Sequence, residues 1–334
     1  MIDWITAEVR CNNSLNTGCL AKINPDGEVD WVSQSWLPVV GSYESNIMIK
    51  PLTDTIIVIS GNPAKFLQGH NLFGTNDLVA LFYKAFLLIY ELLANDGLNP
   101  TLNQLKDIEK GFFNLTRVDI NETWHLSNAN EVKAWIRAAS EKINMPYRGR
   151  GVFSGDTLYW GKGSKYWFLK CYHKGDEIAR KKSNFPSELK TTEMLDYADK
   201  SLRLELVLCS KFLRSTMLCH AYHWQKETAR MLLLEYIKKF EISDNFMISD
   251  DVLAELPTKL KSYYFMWFHG EDVRKHVSKP TFYRIRKQLK AYGIDIALLR
   301  DKERESNNII PLVQILEAKP IGIPAWAYEQ GLVA

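Results

Sequence analysis

The chain has 334 residues, 46% hydrophobic and 24% charged, with a formal net charge of +3. These values leave room for two packed domains and exclude a disordered polyelectrolyte, a collagen-like repeat and a small disulfide-stapled module. Aromatic residues are abundant, at 12% with 10 Trp, which suits both cores and stacking on unpaired bases. Cys11, Cys19, Cys171, Cys209 and Cys219 form no CxxC pair, so neither a disulfide framework nor a zinc knuckle is indicated and a reducing cytoplasm fits. The N-terminus lacks the basic and apolar regions of a signal peptide. The most apolar segment, 78–93, contains Tyr83, Lys84, Tyr90 and Glu91 and reads as too short and too polar for a membrane span. Basic residues are dense at 148–150, 162–174, 180–182 and 274–290, as on a solvated face or a surface for a polyanion.

In chain order, residues 2–60 read as a strand meander with strands near 3–9, 19–23, 29–36, 43–50 and 53–60. Asn24-Pro25-Asp26-Gly27 marks the turn between the second and third. A loop over 61–75 follows, then a helix over 77–95 capped by Thr75 or Asn76 and ended by Gly97. A short helix over 102–110 leads to a strand over 112–122. An amphipathic helix over 130–143 carries Val132, Trp135, Ile136 and Ala139 on one face. A hairpin comes next: a strand over 157–160, the turn Gly161-Lys162-Gly163-Ser164, and a strand over 165–173. A helix over 192–200 precedes a strand over 202–208. The pattern predicts an α+β domain over 1–211, a largely antiparallel sheet with helices packed on one face, and a mainly helical region over 212–334. Helices are expected over 216–240, 249–261 and 278–289. The basic 278–289 helix reads as an ordinary amphipathic helix or a DNA-reading one. His220 and His223, near Cys219, have metal-like spacing but also suit a helix surface. The tail over 307–328, with Pro311, Pro320 and Pro324, reads as an extended wrapping segment.

Strand parity adds chemistry to this outline. Side chains alternate between faces, so Lys170 and Tyr172 share one face of the hairpin strand. Arg117 and Asp119 share a face of their strand. Leu202, Leu204, Leu206 and Leu208 make an apolar face that leaves Arg203 and Glu205 on the other. If these strands are neighbours, a Tyr, two carboxylates and three cations meet on one surface. The plainer reading is a set of cross-strand ion pairs worth ~0.2–1 kcal/mol each. The catalytic reading has Asp119 and Glu205 bind Mg²⁺ or Mn²⁺, which prefer oxygen ligands. Lys170 and Lys174 would ease ionisation of Tyr172 for attack on a DNA phosphate. Energy retained in the phosphotyrosine would allow later rejoining without ATP.

The run from Pro63 through Gln68-Gly69-His70-Asn71-Leu72-Phe73-Gly74-Thr75-Asn76-Asp77 to Leu78 closely resembles the gene II replication initiators of filamentous phages. The resemblance continues at Arg117-Val118-Asp119, at Thr157-Leu158, Trp160, Ser164, Leu169, Tyr172 and Lys174, at Arg203-Leu204-Glu205, and at Asn307-Asn308-Ile309-Ile310-Pro311-Leu312-Val313. It is thin at 1–60, 123–155 and 212–300. The hairpin also resembles that of staphylococcal plasmid rolling-circle initiators. The resemblance implies a nicking-endonuclease palm and a sequence-specific nickase. Such an enzyme starts rolling-circle replication and recloses the strand, with Tyr172 as nucleophile. It implies supercoiled origin DNA and the displaced single strand as partners, a host helicase and polymerase beside them, no membrane, and the bacterial cytoplasm as the place of action. A relaxase of a mobile element and a non-catalytic DNA-binding regulator are the competing readings. No His-hydrophobic-His pair exists in the chain. The expected metal ligands are therefore Asp119 and Glu205, with His70 from the best-matched run as the third. Expected DNA contacts are Arg117, Arg203, Lys162 and Lys165, with Arg284, Arg286 and Lys287 in the C-terminal region.

Overall fold

The computed structural model describes residues 1–41, 43, 45–180, 185–242, 256–290, 294, 296–297, 315–316 and 320–333. The chain divides into one unit of Met1–Ile242 with Ile315–Ala334, and a second of Ser243–Gln314. In the first unit, nine strands form one antiparallel sheet. Their spatial order is Val152–Ser154, Thr157–Trp160, Trp167–His173, Ser201–Cys209, Asn114–His125, Ile2–Arg10, Ile56–Gly61, Asn46–Thr53 and Leu37–Val40. The Asn114–His125 strand lies at the centre.

Alternation builds the core. Ile5, Ala7, Val9, Val118, Ile120, Leu169 and Cys171 are buried together with the Leu residues at 202, 204, 206 and 208. The helices Ala129–Lys142, Ser210–Ser215 and Thr228–Ile237 pack against the central strands. The first of them buries Val132, Trp135, Ile136 and Ala139, as its periodicity predicts. Each large side chain so buried contributes about 1.5–3 kcal/mol. The expected α+β class and its large antiparallel sheet are therefore present.

Several elements differ from expectation. The 61–75 segment holds a short helix, Pro63–Gln68; Asn62 caps it by accepting from the Lys65 amide, with Pro63 in the first turn. The hairpin of Cys19–Ile23 and Val29–Gln34 forms its own two-stranded sheet and leaves the meander. The expected boundary at 211 falls within the first unit, because Ser210–Ser215 follows directly from a central strand and packs back on the sheet. The expected helix over 216–240 is broken. Met217 has φ 61°, and the Leu115 amide donates to the Cys219 carbonyl (2.6 Å) while the Ala221 amide donates to Phe113 (3.1 Å). Strand-like pairing has overridden helix propensity there. His220 accordingly turns to Asn114 (3.1 Å) and stacks on Tyr222.

The helical stretch Leu78–Asp96 is, at 19 residues, long and apolar enough by length and composition to cross a membrane. Its Leu78, Leu81, Phe82, Ala85, Phe86, Ile89 and Leu93 face is built into the core, and Lys84 and Glu91 are exposed. The tail returns to the first unit: the Ile321 amide donates to Thr123 (2.8 Å), and Trp326 packs edge-on against Phe73. In the second unit, Thr258–Phe268 and Lys279–Lys290 share a core of Leu260, Tyr264, Trp267, Phe282, Ile285 and Leu289. Arg284 and Lys287 are exposed and Arg286 is half-buried. Residues 249–255 of an expected helix and the 307–313 run lie outside the described residues.

The two kinds of strand leucine separate in a stability test. Leu206 is 0% exposed on the central sheet and Leu20 is 62% exposed on the separate hairpin. Leu206→Ala should cost about 2–5 kcal/mol in urea unfolding, and Leu20→Ala less than about 0.5 kcal/mol.

Candidate active site

Register brings the predicted residues together. Lys170 lies opposite Glu205, Tyr172 opposite Arg203, Asn121 opposite Glu205, and Asp119 opposite Val207. Directly opposite residues share a face, so Lys170, Tyr172, Arg203, Glu205 and Asp119 all leave the sheet on the side away from the leucines. Asp119, Lys170, Tyr172 and Glu205 line one cavity of about 330 Å³. Lys170 Nζ is ion-paired with Glu205 and lies 3.4 Å from Asp119 Oδ2. Arg117 grips Asp119 with two parallel bonds of 2.7 Å. The Tyr172 hydroxyl donates to Glu205 Oε2 at 3.2 Å.

The electrostatics differ from the simple picture of lysines activating a tyrosine. Burial, and then the negative Glu205, push the Tyr172 hydroxyl well above its usual range. Burial likewise raises the Glu205 carboxyl, against Lys170 and with help from Asp119. Burial disfavours the Lys170 charge, but Glu205 and Asp119 outweigh it and hold this ammonium above the ordinary lysine value. Tyr172 is thus a neutral donor at rest, and Glu205 is the group placed to take its proton.

Lys174 is placed differently from expectation. The strand ends at His173, whose Nδ1 accepts from the Asp176 amide and caps a helix over Lys174–Ala179. Lys174 Nζ is buried beneath, 2.7 Å from Asn71 Oδ1 and paired with Glu177. Burial pushes its ammonium down to about 8 against the pull of Glu177. Its partners are therefore Asn71 and Glu177, and the group at the Tyr172 hydroxyl is Glu205.

Two further expectations are corrected. Arg203 is 0% exposed and donates to the Asn71 carbonyl (2.6 Å), the Leu72 carbonyl (3.0 Å) and the Thr123 hydroxyl (3.2 Å). It clamps the 71–72 backbone over the sheet, where no DNA phosphate can reach it. His70 is also fully buried, edge-on to Phe73 at 5.6 Å, and its Nδ1 accepts from the Leu72 amide at 3.3 Å. Burial lowers it to about 4, and it does not join Asp119 and Glu205. Lys162, which donates to Ser154 (2.6 Å), and Lys165 are exposed on the hairpin turn.

Asp3 is the site residue that sequence reading missed. The register shifts there: Ile2 pairs with Ile120 in the core, yet Trp4 pairs with Asp119 on the open face. Such a bulge re-aims a side chain. Asp3 enters the cavity, where its Oδ1 accepts from Asn62 Nδ2 (2.8 Å) and Asn71 Nδ2 (2.6 Å). The Gln-Gly-His-Asn run supplies the scaffold. Gln68 Nε2 donates to the His70 and Phe73 carbonyls, and Gly69 takes φ 79° where a Cβ would lie 2.7 Å from the Tyr43 ring. The available signal was Asn62-Pro63, a helix start whose amide also faces the acid.

Among the described residues, no group of three or more His, Cys, Asp and Glu is spaced to hold a metal. Asp119 and Glu205 remain as a pair; the buried Asn121 amide, which has no hydrogen-bond partner among the described residues, lines a different cavity together with Met1, Phe73 and Tyr197. Two carboxylates on one cavity wall suit a hard ion, since Mg²⁺ keeps several waters and takes one or two carboxylates plus substrate phosphate.

Lys174 offers a titration of the scaffold. Its pKa is lowered in the folded chain, so between pH 8 and 10.5 the unfolded chain binds more protons and stability from this residue rises with pH. Against Lys174→Met, the wild type should gain roughly 2–3 kcal/mol in urea unfolding over that window.

Comparison with known proteins gives a consistent answer. A family model for the N-terminal part of the phage gene II replication-associated protein matches residues 1–227, and the model for its C-terminal part matches 249–333. The replication-associated protein of this type from Enterobacteria phage I2-2 is 35% identical, over 97% of this chain and 96% of that protein. Its counterpart from Salmonella phage IKe is 23% identical over 82% of this chain and 75% of its own length. The counterpart from Enterobacteria phage M13 is 29% identical over 48% of this chain and 41% of its own. The chain belongs to the inovirus gene II family of phage replication-associated proteins.

Proposed function

We propose that this protein initiates rolling-circle replication of a phage genome by nicking one strand of its origin and later rejoining it. The observation that carries the reading is the continuous chain Tyr172–Glu205–Lys170–Asp119 along one cavity wall. A nucleophile, a proton acceptor and a fixed cation within contact of one another are what transesterification of a phosphodiester requires.

In the step, Tyr172 Oη passes its proton to Glu205 as the Oη–P bond forms. The P–O3′ bond breaks, and its electron pair leaves with the 3′ oxygen, which takes a proton from water. The 5′ phosphate stays on the enzyme as a phosphotyrosine. Attack by a 3′ hydroxyl reverses the bond changes and recloses the strand. Glu205 Oε2, 3.2 Å from the Tyr172 hydroxyl, is within reach of that proton. Lys170 keeps its charge across the working pH range and faces the phosphate as negative charge builds. Asp119, held by Arg117, and Glu205 would hold Mg²⁺ or Mn²⁺, which supplies Lewis-acid neutralisation of a phosphate oxygen when bound. The partners in this reading are supercoiled origin DNA and the displaced strand, with a host helicase and polymerase, in the cytoplasm of the host cell. Arg284, Arg286 and Lys287 are the candidate origin contacts of the second unit.

The test is a nicking assay on supercoiled plasmid carrying the phage origin. Wild type with Mg²⁺ should give open circles with protein on the 5′ end, and EDTA should stop this. Tyr172→Phe should give no covalent adduct; an adduct in that variant would exclude Tyr172 as nucleophile. Glu205→Gln should slow nicking by about 10²–10⁴-fold if it takes the proton.

A further inference from the structure

The open face carries aromatic rings that the nicking chemistry does not use. Three partly exposed rings each lie beside a cation: Trp4 with the Arg117 guanidinium at 5.4 Å, Tyr159 with Lys162 Nζ at 5.0 Å, and Phe168 with Lys170 Nζ at 5.9 Å. Of these six residues Trp4, Arg117, Tyr159 and Lys170 line the cavity of Tyr172, so two rings and two cations share its wall. Trp4 and Tyr159 both line the cavity of Tyr172, from opposite sides. Across the sheet the order is Tyr159, Lys170, Glu205, Asp119 and Trp4, on five neighbouring strands. Four strand spacings separate the two rings, about 19 Å. The Trp4 indole N–H is engaged by Thr6 and Ser60, 3.3 Å from each, which fixes the ring on the sheet. Tyr159 is backed by Phe168, centroids 6.4 Å apart.

Rigid rings with a cation beside each are how sequence-tolerant proteins hold unpaired strands: bases stack on the rings and phosphates meet the cations. A duplex offers no free base face to either ring. We propose that Trp4 and Tyr159 are stacking platforms for unpaired bases on the two sides of the phosphate presented to Tyr172, so the strand enters this cavity single-stranded. The proposal deepens the nicking reading and rests on it for the place of the phosphate. Arg117, Lys162 and Lys170 supply the charge along the path.

The experiment measures binding in EDTA, so strand cleavage does not enter the readout. A fluorescein-labelled thymidine oligomer is compared with an abasic oligomer of equal length and charge, by anisotropy at one fixed salt concentration. The wild type should bind the thymidine oligomer at least about 10-fold more tightly. Trp4→Leu and Tyr159→Leu should each weaken thymidine binding about 5- to 100-fold and leave abasic binding unchanged, with Trp4→Phe and Tyr159→Phe close to wild type. Equal wild-type affinity for the two oligomers overturns the proposal, and this arm needs no variant to fold. Leu variants that bind thymidine like the wild type overturn it too. Failure of the nicking assay leaves these affinities as they are, so the two readings fail separately.

Discussion

The site depends on one register, that of Trp167–His173 against Ser201–Cys209. It sets Lys170 opposite Glu205 and Tyr172 opposite Arg203. A slip of one residue would turn Lys170 and Tyr172 into the leucine core and bring Leu169 and Cys171 out. The core face carries Leu169 and Cys171 on one strand and the leucines at 202–208 on the other, so such a slip would bury charge against hydrocarbon at a cost of several kcal/mol. Hydrophobic burial on one side of the sheet thus enforces the spacing of charged groups on the other.

That arrangement concentrates charge in a dry place. Asp119, Glu205, Lys170 and Tyr172 are largely removed from water, and each is stabilised by another member of the group. Removing one of its charged members leaves the rest with uncompensated charge, which is why such clusters are sensitive to single substitutions. A second cluster roofs part of the same face. Arg203 ties down the 71–72 backbone, Asn71 links Asp3 to Lys174, and Glu177 neutralises Lys174 together with Lys65. The most recognisable run of the sequence is therefore scaffold: Gln68, Gly69 and His70 hold Asn71 in place.

Strand parity made most of the candidate site legible. Alternating leucines at 202–208 assigned Glu205 to the open face, and the hairpin turn assigned Lys170 and Tyr172. The same reasoning assumed that a basic residue on that face meets DNA, and for Arg203 it failed. A guanidinium with several carbonyl partners can be buried, and nothing local distinguishes it from an exposed one. Asp3 escaped notice because parity places it with Ile5 and Ala7. Only the bulge turns it outward, and a bulge depends on the partner strand.

The sequence by itself determined the class of fold, the strands that carry the site, the family, and the face taken by Asp119, Lys170, Tyr172 and Glu205. These rest on period-two patterning and on motif spacing, which are local. Tertiary structure alone decided that Tyr172 faces Glu205 and not Lys174, that His70 is packed among aromatic rings, that Arg203 is a clamp, and that Asp3 joins the cavity. It also returned the tail to the first unit and broke the helix expected after 216. Each of these outcomes depends on which distant backbone carbonyl, amide or carboxylate comes within about 3 Å, the reach of a hydrogen bond. Contacts of that kind are set by the packing of elements far apart in the chain.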